Sequence, residues 1–480
     1  MFDVLKSIFD RDREKAALAK DEVAAMLKIS PEALDAFEAA YKKQALGTPE
    51  ISDGIFNVNA KQASKLADQS QEPIDEKAME MADRIVDELL AQVEVYTYDG
   101  NKAAYEHEFA IPEHMQMVTN EDILSLPEAL RPQLAGCLMK KDMKGDSYPI
   151  ILSMYKDSLN EKFPPKRRMQ GYHLFRQGLD ILDLDPITYE IIGMNPNSMG
   201  HWLPKLVYAV QKQDFFKIPK TTVIKVPLTL LQLTRNDYFA LTPTTKYIVD
   251  QFCMKAFHLD ENEEYFIKTG TYSSKYDFRN AHVHGAKEVR ELGEYLLYIH
   301  FQALQMASPL CKPVIYGVST TNEWVVREFI KDTENNPCIY KGLPLHTEYR
   351  LFVDFDTNEV IGMSPYWEPK IMKQRFAHED DADSPHQIHD YIIYQMHETV
   401  LMDRYEKNKA MVKKSLERIM PDIDLSGQWS VDIMQNGDDF YIIDMALAAN
   451  SALKECVPPG LLKPVQEKWI PKLPDLTAQD

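Results

Sequence analysis

The chain has 480 residues, 45% of them apolar and 27% charged, with a formal net charge of −20. That length exceeds one ordinary core and predicts about two to four domains. The composition excludes a disordered polymer, and the acidic balance excludes a generic nucleic-acid or anionic-membrane surface, which needs clustered Lys and Arg.

Residues 1–95 read as a helical accessory module. Apolar residues recur at helical spacing in "AKDEVAAMLKI" and "SPEALDAFEAAYKKQAL", where Ser30 caps a helix with Pro31 at its first position. "DEKAMEMADRIVDELLAQVEVY" is a third helix, and these helices are the candidate dock for a protein partner. Residues 96–214 are mixed: "VEVYTYDG" and "YPIILSMY" read as strands, "HLFRQGLDILDL" and "GHWLPKLVYAVQKQ" as helices. The basic stretch "PPKRRMQGYHLFR" reads as a solvated loop or a polyanion contact.

A first lobe is expected over 215–330 and a second over 331–480. "KTTVIKVPLTLLQL" is strand-like, "TTKYIVDQFCMKAFHL" helical with a Thr cap, "EYFIKTG" a strand, and "GAKEVRELGEYLLYIHFQALQM" one long helix. "EWVVREFI" is a strand. "TEYRLFVDFDTNEVIGMSPYWEP" makes two strands about a turn at Asp356-Thr357-Asn358. A long helix starts at Ser384-Pro385, and "WSVDIMQNGDDFYIIDMAL" is a hairpin over Asn436-Gly437. The fold class is α+β with mainly antiparallel pairs.

Five scattered cysteines without a Cys-x-x-Cys pair predict reduced thiols and a cytoplasmic location. The amphipathic, charged start is no signal peptide, and no stretch reaches the roughly 18 uninterrupted apolar residues of a spanning helix. The P-loop and the Rossmann glycine fingerprint are both missing, as is a His-Glu-x-x-His zinc motif. His282 with His284, or His386 with His389, could pair on a metal but lack an obvious third ligand.

Chemistry therefore falls to charged residues at strand ends. Lys268 closes a strand and runs into "TGTYSSKYD", whose hydroxyls and amides, with Lys275, suit a phosphate. The same stretch fits a hairpin tip with a snorkelling lysine. Glu348 and Arg350 share one strand face, where such a pair is commonly a surface ion pair. Asp432 and Asp444 lie on the two arms of the last hairpin. Two carboxylates embedded in apolar strands call for a shared cation, with magnesium the natural one, unless both face solvent.

In this order the segments resemble the ATP-grasp superfamily. The match is nearest its branch of cell-division-cycle proteins that assist assembly of a translation initiation factor. "FIKTGTYSSKYDF", with Ser274, Lys275 and Asp277, resembles that branch's Ser-Pro-Lys-Asp loop. "EYRLFV" resembles its Glu-Phe-Arg-x-Phe-Val strand, "IGMSPYWEP" the continuation of that strand, and "SVDIM" with "YIIDMAL" its closing hairpin. The resemblance spans about residues 215–455 and implies ATP with Mg2+. On it, Lys268 and Lys275 touch phosphates, with Lys246 as a further contact. Arg327, Glu328, Phe329 and Ile330 form the hinge strand beside adenine and ribose. Arg350, next to Glu348, meets the γ-phosphate, and Asp432 and Asp444 ligate magnesium.

The branch's third metal ligand, an Asn two residues after the last Asp, is Ala446 here, with Asn450 the substitute. The implied activity is ADP-forming ligation of a carboxylate to an amine, the substrate being a small acid, a peptide or a protein. A nucleotide-dependent assembly chaperone is the first alternative. A nucleotidyl-transferring ligase using Lys268 as an AMP carrier is the second, although no Asp-Gly follows the lysine.

Overall fold

The structure is a computed structural model that describes residues 74–106, 118–133, 162–164, 189, 192–193, 195–234, 241–306, 321–376 and 388–463. Expectations for the first 73 residues, for "YPIILSMY", for nearly all of the basic stretch and for the Ser384-Pro385 cap lie outside it.

Thirteen strands occur among the described residues: β1 Glu94–Tyr98, β2 Ala103–Glu106, β3 Phe216–Lys217, β4 Thr221–Lys225, β5 Tyr265–Thr269, β6 His282–Val283, β7 Glu323–Glu328, β8 Cys338–Ile339, β9 Leu343–Pro344, β10 Thr347–Asp354, β11 Glu359–Pro365, β12 Gln428–Asn436 and β13 Asp439–Leu447. They form a six-stranded sheet in the order β2-β1-β4-β7-β5-β6, a five-stranded sheet in the order β11-β10-β12-β13-β3, and a separate β8-β9 pair. Every pairing is antiparallel except the short parallel contact of β13 with β3. The expected α+β class with two mainly antiparallel sheets is what the chain adopts. Strands at 94–106 complete the first sheet, and β3 completes the second.

Five longer helices cover the sheets: α1 Glu76–Leu90, α2 Met199–Val210, α3 Pro243–Ala256, α4 Leu292–Met306 and α5 Ile388–Ile419. Asp75 caps α1 by accepting from the Ala78 amide at 2.8 Å, and Thr242 caps α3 with Pro243 at its first position. α1, α3 and α4 bury apolar residues such as Ile85, Phe252 and Leu296 against Ile224, Ile267 and Trp324 of the first sheet. The opposite face of that sheet (Tyr96, Val223, Val325) shares a second core with α2, the C-terminal half of α5 and the second sheet, where Trp202, Leu351 and Ile433 are fully buried. Among the described residues no helix is long and apolar enough to cross a membrane.

Two elements differ from the sequence reading. The strand expected over 220–233 ends at Lys225, and Pro227 then caps a short helix, Leu228–Leu233, because proline gives no amide to a ladder but suits a helix start. The long helix expected from Gly285 breaks at Glu291 into Gly285–Arg290 and α4. The break lets Asp250 of α3 accept from the Glu294 amide at 3.0 Å, beside that amide's bond to the Glu291 carbonyl at 3.0 Å.

Candidate functional site

Between the two sheets opens a cleft of about 360 Å³. Strand alternation aims its charged walls. On β5, Lys268 is fully buried yet reaches across to the second sheet, where its Nζ lies 3.0 Å from Oδ1 of Asp444. On β10, Glu348 and Arg350 share a face, and the register sets Arg350 opposite Asp432 and Asp432 opposite Asp444. Arg350 grips Asp432 bidentately, Nε to Oδ1 at 2.7 Å and Nη2 to Oδ2 at 2.5 Å, and both side chains are largely buried.

The β12–β13 ladder slips between Asp432 and Ile433, so that Ile433 faces Ile442 and Ile443 is the extra residue of a bulge. The Ile443 carbonyl accepts from Nη1 of Arg327 at 2.6 Å, while Nε of Arg327 donates to Thr221 at 3.2 Å. Nη2 of this buried arginine has no partner. An orphaned guanidinium N–H at a cleft wall is a costly feature that an anionic ligand would relieve.

The loop after β5 shapes the other side. Thr269 Oγ1 accepts from the Tyr272 amide at 2.9 Å, folding the loop back on itself. Ser274 adopts the left-handed region (φ 44°) and donates to Gln302 of α4 at 2.8 Å. Lys275 then stands 4.4 Å over the Tyr366 ring, and the Arg350 guanidinium lies 4.7 Å from the same ring. Apolar walls come from Phe266, Phe329, Ile330, Leu343 and Met434.

Burial sets the charge balance. Glu348 is pushed up to about 8 by desolvation, reinforced by Asp432 and opposed by Lys275 and Arg350. It is therefore mostly neutral at pH 7. Burial also pulls Lys275 below the usual lysine range and Arg327 down to about 10. Lys268, Lys275, Arg327, Arg350 and Arg375 share the cleft with the carboxylates of Glu328, Asp432 and Asp444 and with the raised Glu348. The cleft is cationic inside a chain of net charge −20.

Most residues singled out from the sequence meet here: Lys268, Ser274, Lys275, Arg327, Glu328, Phe329, Ile330, Glu348, Arg350, Asp432, Asp444 and Asn450 all line the cleft, as does Ala446. Two do not. Lys246 projects from α3 and pairs with Glu294 at 3.2 Å, since α3 packs among the helices covering the first sheet. Asp277 sits at a kink of the loop (φ −129°, ψ 66°) and is held by Arg279, Asn280 and Lys341 at 3.1, 3.0 and 3.2 Å. His282 stacks on Phe329 at 3.7 Å and shares a hydrogen bond with Glu264 at 3.0 Å.

Sequence reading missed Asn197 and Arg375, which lie on short elements without periodic signal. The Asn197 carbonyl side chain accepts from the Leu447 amide at 2.7 Å, and the neighbouring Met199 amide donates to Gly270 at 3.0 Å. One short segment thus holds both the end of β13 and the start of the Lys268 loop.

Among the described residues no group of three or more His, Cys, Asp or Glu side chains gathers as a metal cage. Asp432 and Asp444 stand opposite each other, each bonded to a cation of the chain. Such a pair fits a magnesium ion that takes one or two carboxylates and completes its shell with phosphate and water. It does not fit an all-protein site.

No family model and no curated protein matches the chain. Among solved structures it is similar to Cdc123 from Schizosaccharomyces pombe and to a C-terminally truncated form of that protein. Both are 16% identical, cover 53% of this chain and 84% of their own, and superpose with TM-scores of 0.29 and 0.30. A likeness of that size bears on neither activity nor site residues.

Proposed function

We propose that the cleft binds ATP with magnesium and that the chain is an ADP-forming ligase joining a carboxylate to an amine through an acylphosphate. One observation carries the nucleotide reading: cations from both sheets converge on a single buried cleft of nucleotide size, and one buried arginine donor there lacks an acceptor. On this reading Lys268 and Arg327 meet the inner phosphates, Lys275 and Arg350 the terminal one, and the end of β7 from Glu328 to Ile330 borders the adenosine. Asp432 and Asp444, with Asn450 nearby, would hold magnesium, which when bound neutralises phosphate charge. The residues of the chain orient the phosphates and keep water out, and fixed cations stand where charge develops.

A nucleotide-dependent assembly chaperone is the second reading. Ala446 at the cleft wall favours it, since an alanine there offers no third side-chain ligand and suits a nucleotide held as a structural group. Nothing favours Lys268 as an AMP carrier: its Nζ is buried and engaged by Asp444.

Calorimetric titration of ATP with and without Mg2+ tests the binding. Lys268→Ala and Asp444→Asn are each expected to abolish Mg2+-dependent binding, and unchanged titration of either variant refutes the assignment. ADP release that requires both an acid and an amine would separate ligase from chaperone.

A further inference from the structure

The cleft cations fall into two sets. Lys268 and Arg327 are bonded to β13, through Asp444 and the Ile443 carbonyl. Lys275, Arg350 and Arg375 instead surround the Tyr276 phenol, which their charge draws below the usual tyrosine range against the effect of burial. Within that second set Arg350 is committed to Asp432. Lys275 and Arg375 close no ion pair with a carboxylate among the described residues. Lys275 lies over the Tyr366 ring, and Arg375 lies 3.9 Å from the Met372 sulfur and shares a hydrogen bond with the Tyr340 side chain. Tyr276 lines the corner and meets the buried Tyr340 behind it edge to face at 5.1 Å. Of these three cations only Arg350 closes an ion pair with a carboxylate among the described residues. Among the described residues, this corner therefore holds more cationic than carboxylate side chains, and an incoming anion would balance it.

We propose that this corner is the acceptor subsite: Arg375, flanked by Tyr276 and Tyr340, receives a carboxylate of the acceptor and sets it against the terminal phosphate held by Lys275 and Arg350. The assignment rests on the nucleotide reading above. A guanidinium presents two parallel N–H donors that match a carboxylate, unlike an ammonium. Attack needs the carboxylate oxygen within about 3–3.5 Å of phosphorus, so two anions must meet, and a cation uncommitted to phosphate is what permits it. In the step, a carboxylate oxygen bonds to the terminal phosphorus, and the bond from phosphorus to the bridging oxygen breaks. The electron pair leaves with ADP, and no proton moves.

The test is calorimetric titration of free L-glutamate, and separately of a triglutamate peptide, into the full chain saturated with magnesium and β,γ-methylene-ATP. Binding of the free acid points to a small-molecule acceptor, and binding of the peptide alone to a polypeptide one. Either result supports the subsite if Arg375→Ala weakens it by about tenfold or more and Arg375→Lys by less. The analogue's own Kd should stay within about threefold in both variants, consistent with a group that does not hold phosphate. Loss of analogue affinity in Arg375→Ala would make Arg375 a phosphate ligand and overturn the proposal while leaving the nucleotide reading intact. So would equal carboxylate binding by wild type and variant, or none by wild type. If the wild type takes no nucleotide, that reading fails separately, and the same titrations on the nucleotide-free protein still decide Arg375.

Discussion

Glu348 shows most clearly how the cleft handles charge. Buried among cations, it titrates near 8 instead of 4.5, so the folded chain holds a proton that the unfolded chain releases. Stability from the neutral form is complete below about pH 4.5 and is lost as pH rises through about 8. Glu348→Gln mimics the neutral form. Its thermal midpoint is expected to exceed that of wild type more at about pH 9 than at about pH 6; an equal gap at both would mean that Glu348 titrates normally. On the proposed nucleotide reading, ATP affinity follows the same group. Ionising Glu348 adds a negative charge beside the phosphates, so wild-type affinity should fall as pH passes about 8, and that fall should be shallower in Glu348→Gln. Glu323 adds to the stability trend. Buried, and accepting from the Gly200 amide at 2.9 Å, it is raised to about 7 by desolvation, so its contribution is lost across the neutral range.

At the scale of elements, two helices meet so closely that one position tolerates no side chain. A Cβ on Gly293 of α4 would lie 2.6 Å from the Val249 carbonyl oxygen of α3, a backbone atom with no room to yield. Gly293→Ala should cost about 1–3 kcal/mol in denaturant unfolding. A midpoint unchanged from wild type would mean that the helices slide apart freely. This contact also explains what could be read from the sequence and what could not. Lys268, Lys275, Arg350, Asp432 and Asp444 were legible because strand alternation and hairpin pairing act over a few residues, and the Asn436-Gly437 and Asp356-Thr357-Asn358 turns mark their own positions. The break at Glu291 was not legible, since the "EVRELGEYLL" run keeps helical periodicity through it and only the packing on Asp250 and Val249 selects the interruption. Lys246 misled for a related reason: a helix surface offers no sign of whether it turns to the cleft or to neighbouring helices. The bulge at Ile443, and with it the acceptor for Arg327, depends on register that no local pattern encodes.

At the scale of the whole molecule, the ligand would bridge two sheets that otherwise touch through few polar links, Lys268–Asp444 and Arg327–Ile443 among them. Saturating Mg-ATP at a hundredfold excess over Kd stabilises a folded chain by about 2.7 kcal/mol. Hydrogen exchange should then slow at both β5 and β13. Protection confined to one sheet would show that the nucleotide rests on a single wall.

The contrast between an acidic exterior and a cationic slot also bears on how a polyanion arrives. On the proposed reading, ATP at a distance meets net repulsion from a chain of charge −20 and feels attraction only within about 8 Å, the reach of a charge at physiological ionic strength. Added salt weakens the far field before the near one, so modest salt should hasten capture rather than slow it, the reverse of an openly basic binding surface. Stopped-flow rates across an ionic-strength series would reveal the sign of that dependence.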